Sequence, residues 1–494
     1  MTGTCARLEA VTHAGAPHPP DRERQAAFDA DALARATGGA VLVRSDRPIH
    51  GAAVDSRRIT EGAMFVALPG ERTDGHDHLP DAVAAGAAAL VVTRALHDDA
   101  VAAVAAAPGG VTVIRVADGL AALHAAAETW RDRFDPLVVG ITGSVGKTSM
   151  KEAAATVLGA RMRTLRSPGN ENNEIGLPLT VLRLDRSDEA LVLEMGMYVE
   201  GEIADLVRIG APRIGVVTAI QPVHLSRIGT IEAIELEKGR LVEGLPPTGT
   251  AILNADDERV LRMAERTAAR VMTYGFADDA DVRAASVASD GPDGMRFDLL
   301  TAGGSQPVSI PLLGRHAVHN ALAAAAVGLA AGIAPDEIAA ALGSATGAAH
   351  RGELIRLGDV IVIDDSYNAA PASMLAALDV LAGLRGRRVA VLGEMLELGE
   401  ESTAGHLEVG RAAARVVDLL IVVGDDPEGD ADAMVEGARE AGLEPERILR
   451  VADAETAHDE LRPRLIPGDV VLVKASRGIA LDTLVEALRR EREP

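Results

Sequence analysis

Short apolar runs alternate with longer stretches of helical periodicity through most of the 494 residues. That alternation predicts an α/β protein built on mostly parallel sheets. The runs at 64–68 and 88–93, with a short helix at 81–86 between them, predict a small α/β unit over residues 27–136. Phe134-Asp-Pro136 closes this unit, because proline cannot extend a helix and also restricts the residue before it. Runs at 137–142, 190–194, 214–218 and 250–253 predict a parallel sheet in a second unit, residues 137–347. Within it, residues 277–310 change character: Gly, Asp and Ser-rich turns between short alternating runs predict a few antiparallel strands. Runs at 360–363, 388–392, 419–423 and 469–473, most of them separated by helical stretches, give the third unit, residues 348–494, a doubly wound, Rossmann-like pattern without its own phosphate-binding glycine fingerprint. Residues 1–26 have no apolar core of signal-peptide length and are expected to form a flexible extension. The apolar segment 321–334 is too short and too rich in Ala and Gly to span a membrane, and predicts a buried helix.

Composition sharpens this. Only 2% of residues are aromatic, so the core must be built from Ala, Val, Leu and Ile, which suits parallel strands packed closely on alanine-rich helices. A net charge of −24 argues against a nucleic-acid surface and against attachment to acidic membranes. The single cysteine, Cys5, excludes an intrachain disulfide framework and fits a reducing cytosol, so a cytoplasmic protein is expected.

The candidate chemistry centres on Leu137-Val-Val-Gly-Ile-Thr-Gly-Ser-Val-Gly-Lys-Thr-Ser149. A strand that feeds a helix through glycines leaves backbone N–H groups pointing into the turn, where they and the helix dipole cradle phosphate. Thr142, Gly143, Ser144, Val145, Gly146, Lys147, Thr148 and Ser149 form this cradle; Lys147 can reach the outer phosphates and the Thr148 hydroxyl can hold Mg²⁺. The spacing departs from the general P-loop, with Ile141 at the first glycine position and Gly140 and Gly143 flanking it. A lysine at the start of a helix is disfavoured by the dipole unless an anion joins it.

Ligands gather beyond the carboxyl ends of parallel strands, and further polar residues fall there. Glu194 ends one strand and can ligand or orient Mg²⁺. His224 follows another by a short loop. Lys238 lies on the apolar face of a helix marked by Ile231, Ile234, Leu241 and Leu245. Two readings stand for it: a snorkelling lysine whose stem covers the core, or a desolvated, neutral amine able to add CO₂ and become an anionic carbamate ligand for a second Mg²⁺. The loop Ser167–Pro178 carries Asn170, Asn172 and Asn173, whose amides suit a polar ligand and also suit plain turns.

Assembled in order, these residues resemble the Mur ligase family over about residues 30–490. Asp55-Ser-Arg57 and Phe65 to His76 resemble its uridine-nucleotide-binding region, Gly314-Arg-His-Ala-Val-His-Asn320 the segment whose Asn contacts adenine, and Ile363-Asp-Asp-Ser-Tyr-Asn-Ala-Ala-Pro371, Leu392 to Gly399 and Val473 to Gly478 its C-terminal motifs. Val145, Ala370 and Ala475 depart from the residues common there.

The resemblance implies a UDP-precursor-binding first domain, an ATP-binding central domain and a third domain that binds an incoming dipeptide and closes over ATP. The implied activity is ATP-dependent amide ligation through an acyl phosphate, joining D-alanyl-D-alanine to UDP-N-acetylmuramoyl-tripeptide in peptidoglycan synthesis. Lys147, His224 and Lys238 are then the catalytic residues, and Thr148, Glu194, His224 and N6-carboxylated Lys238 would hold two Mg²⁺. Asn320, Arg351, Asp365 and Asn368 join the phosphate loop on ATP, while Ser56, Arg57, Asp74, Gly75, His76 and the three asparagines contact the precursor. A monomer is expected, with no nucleic-acid partner and no integral membrane contact. The alternatives are another Mur-type or folylpolyglutamate-type amino-acid ligase and, from a different class, a non-catalytic ATP-binding switch.

Overall fold

The computed structural model describes residues 26–70, 73–221, 228–425 and 429–492. Most of the expected N-terminal extension, and residues 222–227 with His224, lie outside the described residues.

Three sheets divide the chain. The first has five strands in the order Ala40–Val43, Thr112–Arg115, Ala89–Val92, Met64–Val66, Ala52–Ala53, parallel except at the first pair. The second has nine strands in the order Gly304–Ile310, Met295–Thr301, Val282–Ser289, Arg270–Gly275, Thr250–Asn254, Ile214–Val217, Leu137–Thr142, Ala190–Glu194, Thr164–Arg166. It is parallel from Thr164–Arg166 as far as Val282–Ser289 and antiparallel beyond. The third has six strands in the order Glu353–Leu357, Val360–Asp365, Val470–Lys474, Arg388–Gly393, Leu419–Val423, Ile448–Val451.

Most strands that the pattern passes over are short or lie at a sheet edge; the internal strand Arg270–Gly275 is passed over because Arg270, Thr273 and Gly275 break its apolar run. Thr112–Arg115, Thr164–Arg166 and Ile448–Val451 lack the long apolar run of a central strand, so periodicity does not announce them. The third sheet also opens with an antiparallel hairpin, Glu353–Leu357 on Val360–Asp365, rather than a purely parallel array. Its two-residue turn, Gly358-Asp359, is a legible hairpin signal that a search for doubly wound strands passes over. The helix predicted at 81–86 runs instead from Leu79 to Ala84.

Alanine takes the place of aromatic bulk in the central core. Helix Arg315–Ala330 buries Ala321 and Ala323 to Ala326 against helix Lys147–Gly159, which contributes Ala153, Ala154 and Ala155. Small side chains let these two helices and the sheet approach closely at interior density. The first and second sheets share one continuous core: Ile114, Leu123 and Trp130 pack in the same cluster as Val138, Leu191 and Leu253. The Trp130 indole N–H donates to the Leu184 carbonyl at 3.0 Å across that joint. The third sheet is sandwiched between its own two clusters, to one of which Leu313 of the central unit contributes.

Strand Leu137–Thr142 sits between Ala190–Glu194 and Ile214–Val217. The chain leaves it for the sheet edge, returns beside it, then passes to its other side. This reversal opens a crevice at the carboxyl ends of the strands, where a ligand finds exposed backbone. Among the described residues, no helix is long and apolar enough to cross a membrane.

Candidate active site

The phosphate loop fills that crevice. Gly143 (φ +147°) and Gly146 (φ +83°) adopt backbone conformations that L side chains rarely take. A Cβ on Gly143 would stand 1.8 Å from the Thr218 Oγ1 atom. Thr218, which follows strand Ile214–Val217, staples the loop by donating to the Val145 carbonyl at 2.5 Å and, more weakly, to that of Thr142 at 3.3 Å. Ser144 is held by the same edge: its hydroxyl donates to the Gln221 carbonyl and accepts from the Gln221 N–H. Gly143→Ala is therefore expected to lower stability by about 1–3 kcal/mol through overpacking and to weaken nucleotide binding by at least about tenfold, the equivalent of roughly 1.4 kcal/mol. Thermal melting and ATP titration check both; a variant that binds ATP like the parent removes the loop from the site.

Helix Lys147–Gly159 begins at Gly146 with no side-chain cap on its first N–H groups. Uncapped amides at a helix start attract anions. Lys147 Nζ donates to the carbonyls of Gly143 and Ser144 at 2.8 and 3.3 Å. Burial pushes its pKa down, the Glu194 carboxylate opposes that, and the Arg351 guanidinium adds to it.

Glu194 is almost wholly buried. One carboxylate oxygen accepts from the Asn172 amide at 2.8 Å, while Oε2 has no hydrogen-bond partner among the described residues. Lys151 Nζ stands 3.9 Å from Oε2 and donates to the Gly169 carbonyl at 2.7 Å, with the Glu152 carboxylate at 3.1 Å. A buried carboxylate oxygen without a donor is costly unless a cation meets it, and it fits a hard divalent ion that prefers oxygen. Among the described residues no three His, Cys, Asp or Glu side chains converge as a ligand cluster, so an ion here would draw on mixed donors.

Lys238 lies on helix Ile231–Glu243 beside Ile234, Leu241 and Val242 and is only 3% exposed. Burial holds its pKa well below the usual lysine range, the positive charge of Lys147 lowers it further, and Glu237 opposes both. A depressed pKa favours the desolvated-amine reading over a snorkelling one.

The asparagine loop divides its labour. Asn172 orients Glu194, and Asn173 Oδ1 accepts from the Ile175 and Gly176 N–H groups at the start of helix Gly176–Val181. Asn170 is exposed. The turn Ser56–Arg58 reaches the same loop, because Arg58 pairs with Glu171 at 2.5 Å. Arg57 projects to solvent and folds back on Asp55, whose carboxyl it pulls down to about 2. In the neighbouring turn, buried His76 accepts the Thr93 N–H at Nε2 (3.1 Å), so Nδ1 carries the proton and donates it to Asp74 at 2.8 Å. The Gly75 N–H donates to the Leu68 carbonyl. His76 and Gly75 thus brace the turn from within.

Asn320 and Arg351 meet in one pocket with Ser149 and His316, walled by Leu312, Ala317 and Ala321. The Asn320 amide oxygen sits 3.0 Å from the Cβ position of Gly146, at the phosphate loop itself. Burial lowers the His316 pKa; Asp365 raises it and Lys474 lowers it, so the third unit borders the pocket. There Asp365 pairs with Lys474 at 2.6 Å, and Lys474 donates to the Asn368 carbonyl at 2.8 Å. The Asn368 side-chain oxygen accepts the Ala369 N–H. The Arg351 guanidinium stacks 4.0 Å from the Tyr367 ring centroid.

Thr218, Lys151, His316 and Lys474 are the site residues that sequence reasoning left unassigned. Lys151 had a signal, being one helical turn past Lys147, and Lys474 had another, a lysine ending the apolar strand Val470–Lys474. Thr218 and His316 gain their roles only through the fold.

Comparison with known proteins gives this geometry its setting. The chain matches the Mur ligase family catalytic domain over residues 48–128, the Mur ligase middle domain over 141–328 and the Mur ligase glutamate ligase domain over 350–477. It is 41% identical over 463 residues to the UDP-N-acetylmuramoyl-tripeptide–D-alanyl-D-alanine ligase of Mycobacterium tuberculosis H37Rv, covering 88% of this chain and 91% of that one. The Escherichia coli K12 protein of the same name is 36% identical, with 91% and 95% covered. Among solved structures, MurF from Acinetobacter baumannii superposes with a TM-score of 0.82 at 29% identity over 94% of this chain and 99% of that one. MurF from Thermotoga maritima in complex with ADP gives 0.77 at 27% identity, covering 90% and 98%. With three domain matches in order and a relative of this identity spanning most of both sequences, the chain belongs to the Mur ligase family.

Proposed function

We propose that this protein is an ATP-dependent amide ligase that adds D-alanyl-D-alanine to UDP-N-acetylmuramoyl-tripeptide in peptidoglycan synthesis. Relatives so named at 35–41% identity over most of the chain support the reaction. The observation that carries it is the convergence at one crevice of an uncapped glycine loop, Lys147 and a buried carboxylate, one oxygen of which has no hydrogen-bond partner among the described residues.

A carboxylate is a poor acyl donor because its leaving group would be oxide. The substrate carboxylate oxygen attacks the γ-phosphorus of ATP; the bond to the β-phosphate oxygen breaks, and ADP leaves. The resulting acyl phosphate carries a good leaving group. The dipeptide amine attacks the acyl carbon, loses its proton, and the tetrahedral intermediate expels phosphate to give the amide. Catalysis is positioning and charge stabilisation.

In this role Lys147 exchanges its two loop carbonyls for β/γ-phosphate oxygens, and the loop amides bind the phosphates. Arg351 neutralises the γ-phosphate from the linker. Asn320 meets the adenine, Asp365 and Asn368 the ribose and adenine across the cleft. Ser56, Arg57, Asp74, Gly75, His76, Asn170, Asn172 and Asn173 line or brace the uridine-precursor side. Thr148 and Glu194 would hold one Mg²⁺, and His224 with N6-carboxylated Lys238 a second; these ions would supply charge neutralisation for the triphosphate and the substrate carboxylate. The domains over 27–136, 137–347 and 348–494 then serve precursor, ATP and dipeptide in turn, the third closing over the nucleotide. The protein works in the cytoplasm as a monomer.

The test is a matrix of uridine precursors crossed with amino acids and dipeptides, read as phosphate release and product mass. Release that requires both the tripeptide precursor and D-alanyl-D-alanine is expected. Release with a different amino donor supports another ligase of the family, and nucleotide binding without any release supports a switch protein.

A further inference from the structure

Residues 344–352 carry the chain from helix Pro335–Gly343 of the central unit to strand Glu353–Leu357 of the third. Within them the Arg351 N–H donates to the Ala348 carbonyl at 3.2 Å and closes a turn with His350 in its third position. The His350 φ is +60°. Glycine is usual at such a place, and an imidazole side chain takes that conformation only when its surroundings hold it there.

The holding contacts come from the third unit. The His350 carbonyl accepts the Tyr367 N–H at 3.1 Å. The His350 Nδ1 atom stands 2.7 Å from Asp364 Oδ2. Asp364 is wholly buried, and its Oδ1 atom accepts from the Ser366 hydroxyl at 2.6 Å and from the Ser366 N–H at 3.2 Å. The carboxylate is an acceptor on both oxygens, so Nδ1 carries the proton and donates it. The next residue, Arg351, lays its guanidinium 4.0 Å from the Tyr367 ring centroid and lines the pocket that Ser149 and Asn320 share.

We propose that His350 is a positioning residue: clasped to Asp364, it fixes Arg351 to the third unit, so that this unit carries the guanidinium to the γ-phosphate as it closes. This rests on the reading of Arg351 as the γ-phosphate contact of the ligase. The pivot of closure then falls before His350, and Arg351 arrives together with Asp365 and Asn368 instead of on a free linker. Misplacing a charge by about 1 Å at a reacting centre costs on the order of 10²-fold in rate, which gives a contact outside the cleft its leverage.

The experiment compares His350→Gly and His350→Asn in the full-length enzyme. Glycine removes the imidazole and suits the positive φ, so the turn itself is kept. Asparagine also tolerates positive φ, and its amide nitrogen stands as many bonds from the backbone as Nδ1 does. His350→Gly is expected to lose about 10- to 100-fold in kcat under saturating substrates. Its preference for a β,γ-methylene analogue of ATP over ADP is expected to fall about tenfold, while ADP affinity and melting move little. His350→Asn is expected to keep most of both. ADP lacks the γ-phosphate, so a merely structural role would move the two nucleotides alike. A glycine variant that turns over like the parent, or that loses analogue and ADP affinity together, overturns the clasp, as does an asparagine variant as impaired as the glycine one. A parent that releases no phosphate with every substrate present overturns the ligase reading beneath it instead.

Discussion

Replacing Lys147 by methionine is expected to cut turnover by about 10²–10³, the usual cost of removing one charge stabiliser from a transition state. The lysine occupies the mouth of the loop, where its ammonium rests on the Gly143 and Ser144 carbonyls. Burial, with Arg351 nearby, makes that charge costly in the ligand-free protein, and Glu194 offsets part of the cost. A triphosphate resolves the conflict by supplying anionic oxygens at the same place. Methionine matches the lysine stem and removes the charge, so melting should move little while phosphate release collapses. Phosphate release under saturating substrates is the measurement; a variant keeping more than a tenth of parental turnover would remove Lys147 from the chemistry.

Lys238→Met is expected to separate activity from stability in the opposite sense. Turnover should fall by about 10²–10³, yet the variant should melt a few degrees higher at neutral pH, because an amine held in an apolar pocket gives way to an apolar side chain. The sign follows from linkage. With its folded pKa well below the usual value, Lys238 is deprotonated in the native protein at pH values where the unfolded chain still binds the proton. Stability therefore rises with pH from the depressed folded pKa up to the ordinary lysine range. Melting profiles in CO₂-depleted buffer should show that slope in the parent and a flatter one in the variant. Bicarbonate should raise the activity of the parent and leave the variant unaffected. An unchanged slope, or a variant that melts lower, counts against a buried amine at this position.

The comparison of pattern with structure divides along physical lines. Buried central strands such as 137–142 and 388–393 are legible because both faces are covered and every residue must be apolar. Edge strands such as Thr164–Arg166 and Glu353–Leu357 are not, because a strand with a neighbour on one side only is less buried and needs no unbroken apolar run. The loop glycines could be read for the same local reason as the central strands: positive φ is a demand of the chain itself.

Roles that depend on approach between distant segments needed the fold. Thr218 became a staple of the phosphate loop only when its strand was set beside Leu137–Thr142. Lys238 carried two readings until its burial was known. Asn173 fits a ligand loop by composition, whereas its side-chain oxygen caps a helix. The family, the order of its matched domains and the glycine turn between strand and helix were written in the sequence, since each is a matter of local pattern. Tertiary structure alone decided which charges are desolvated, which oxygen of Glu194 lacks a donor among the described residues and which cations stand by the Tyr367 ring, because solvent exclusion and distance are properties of packed segments that no single stretch of chain contains.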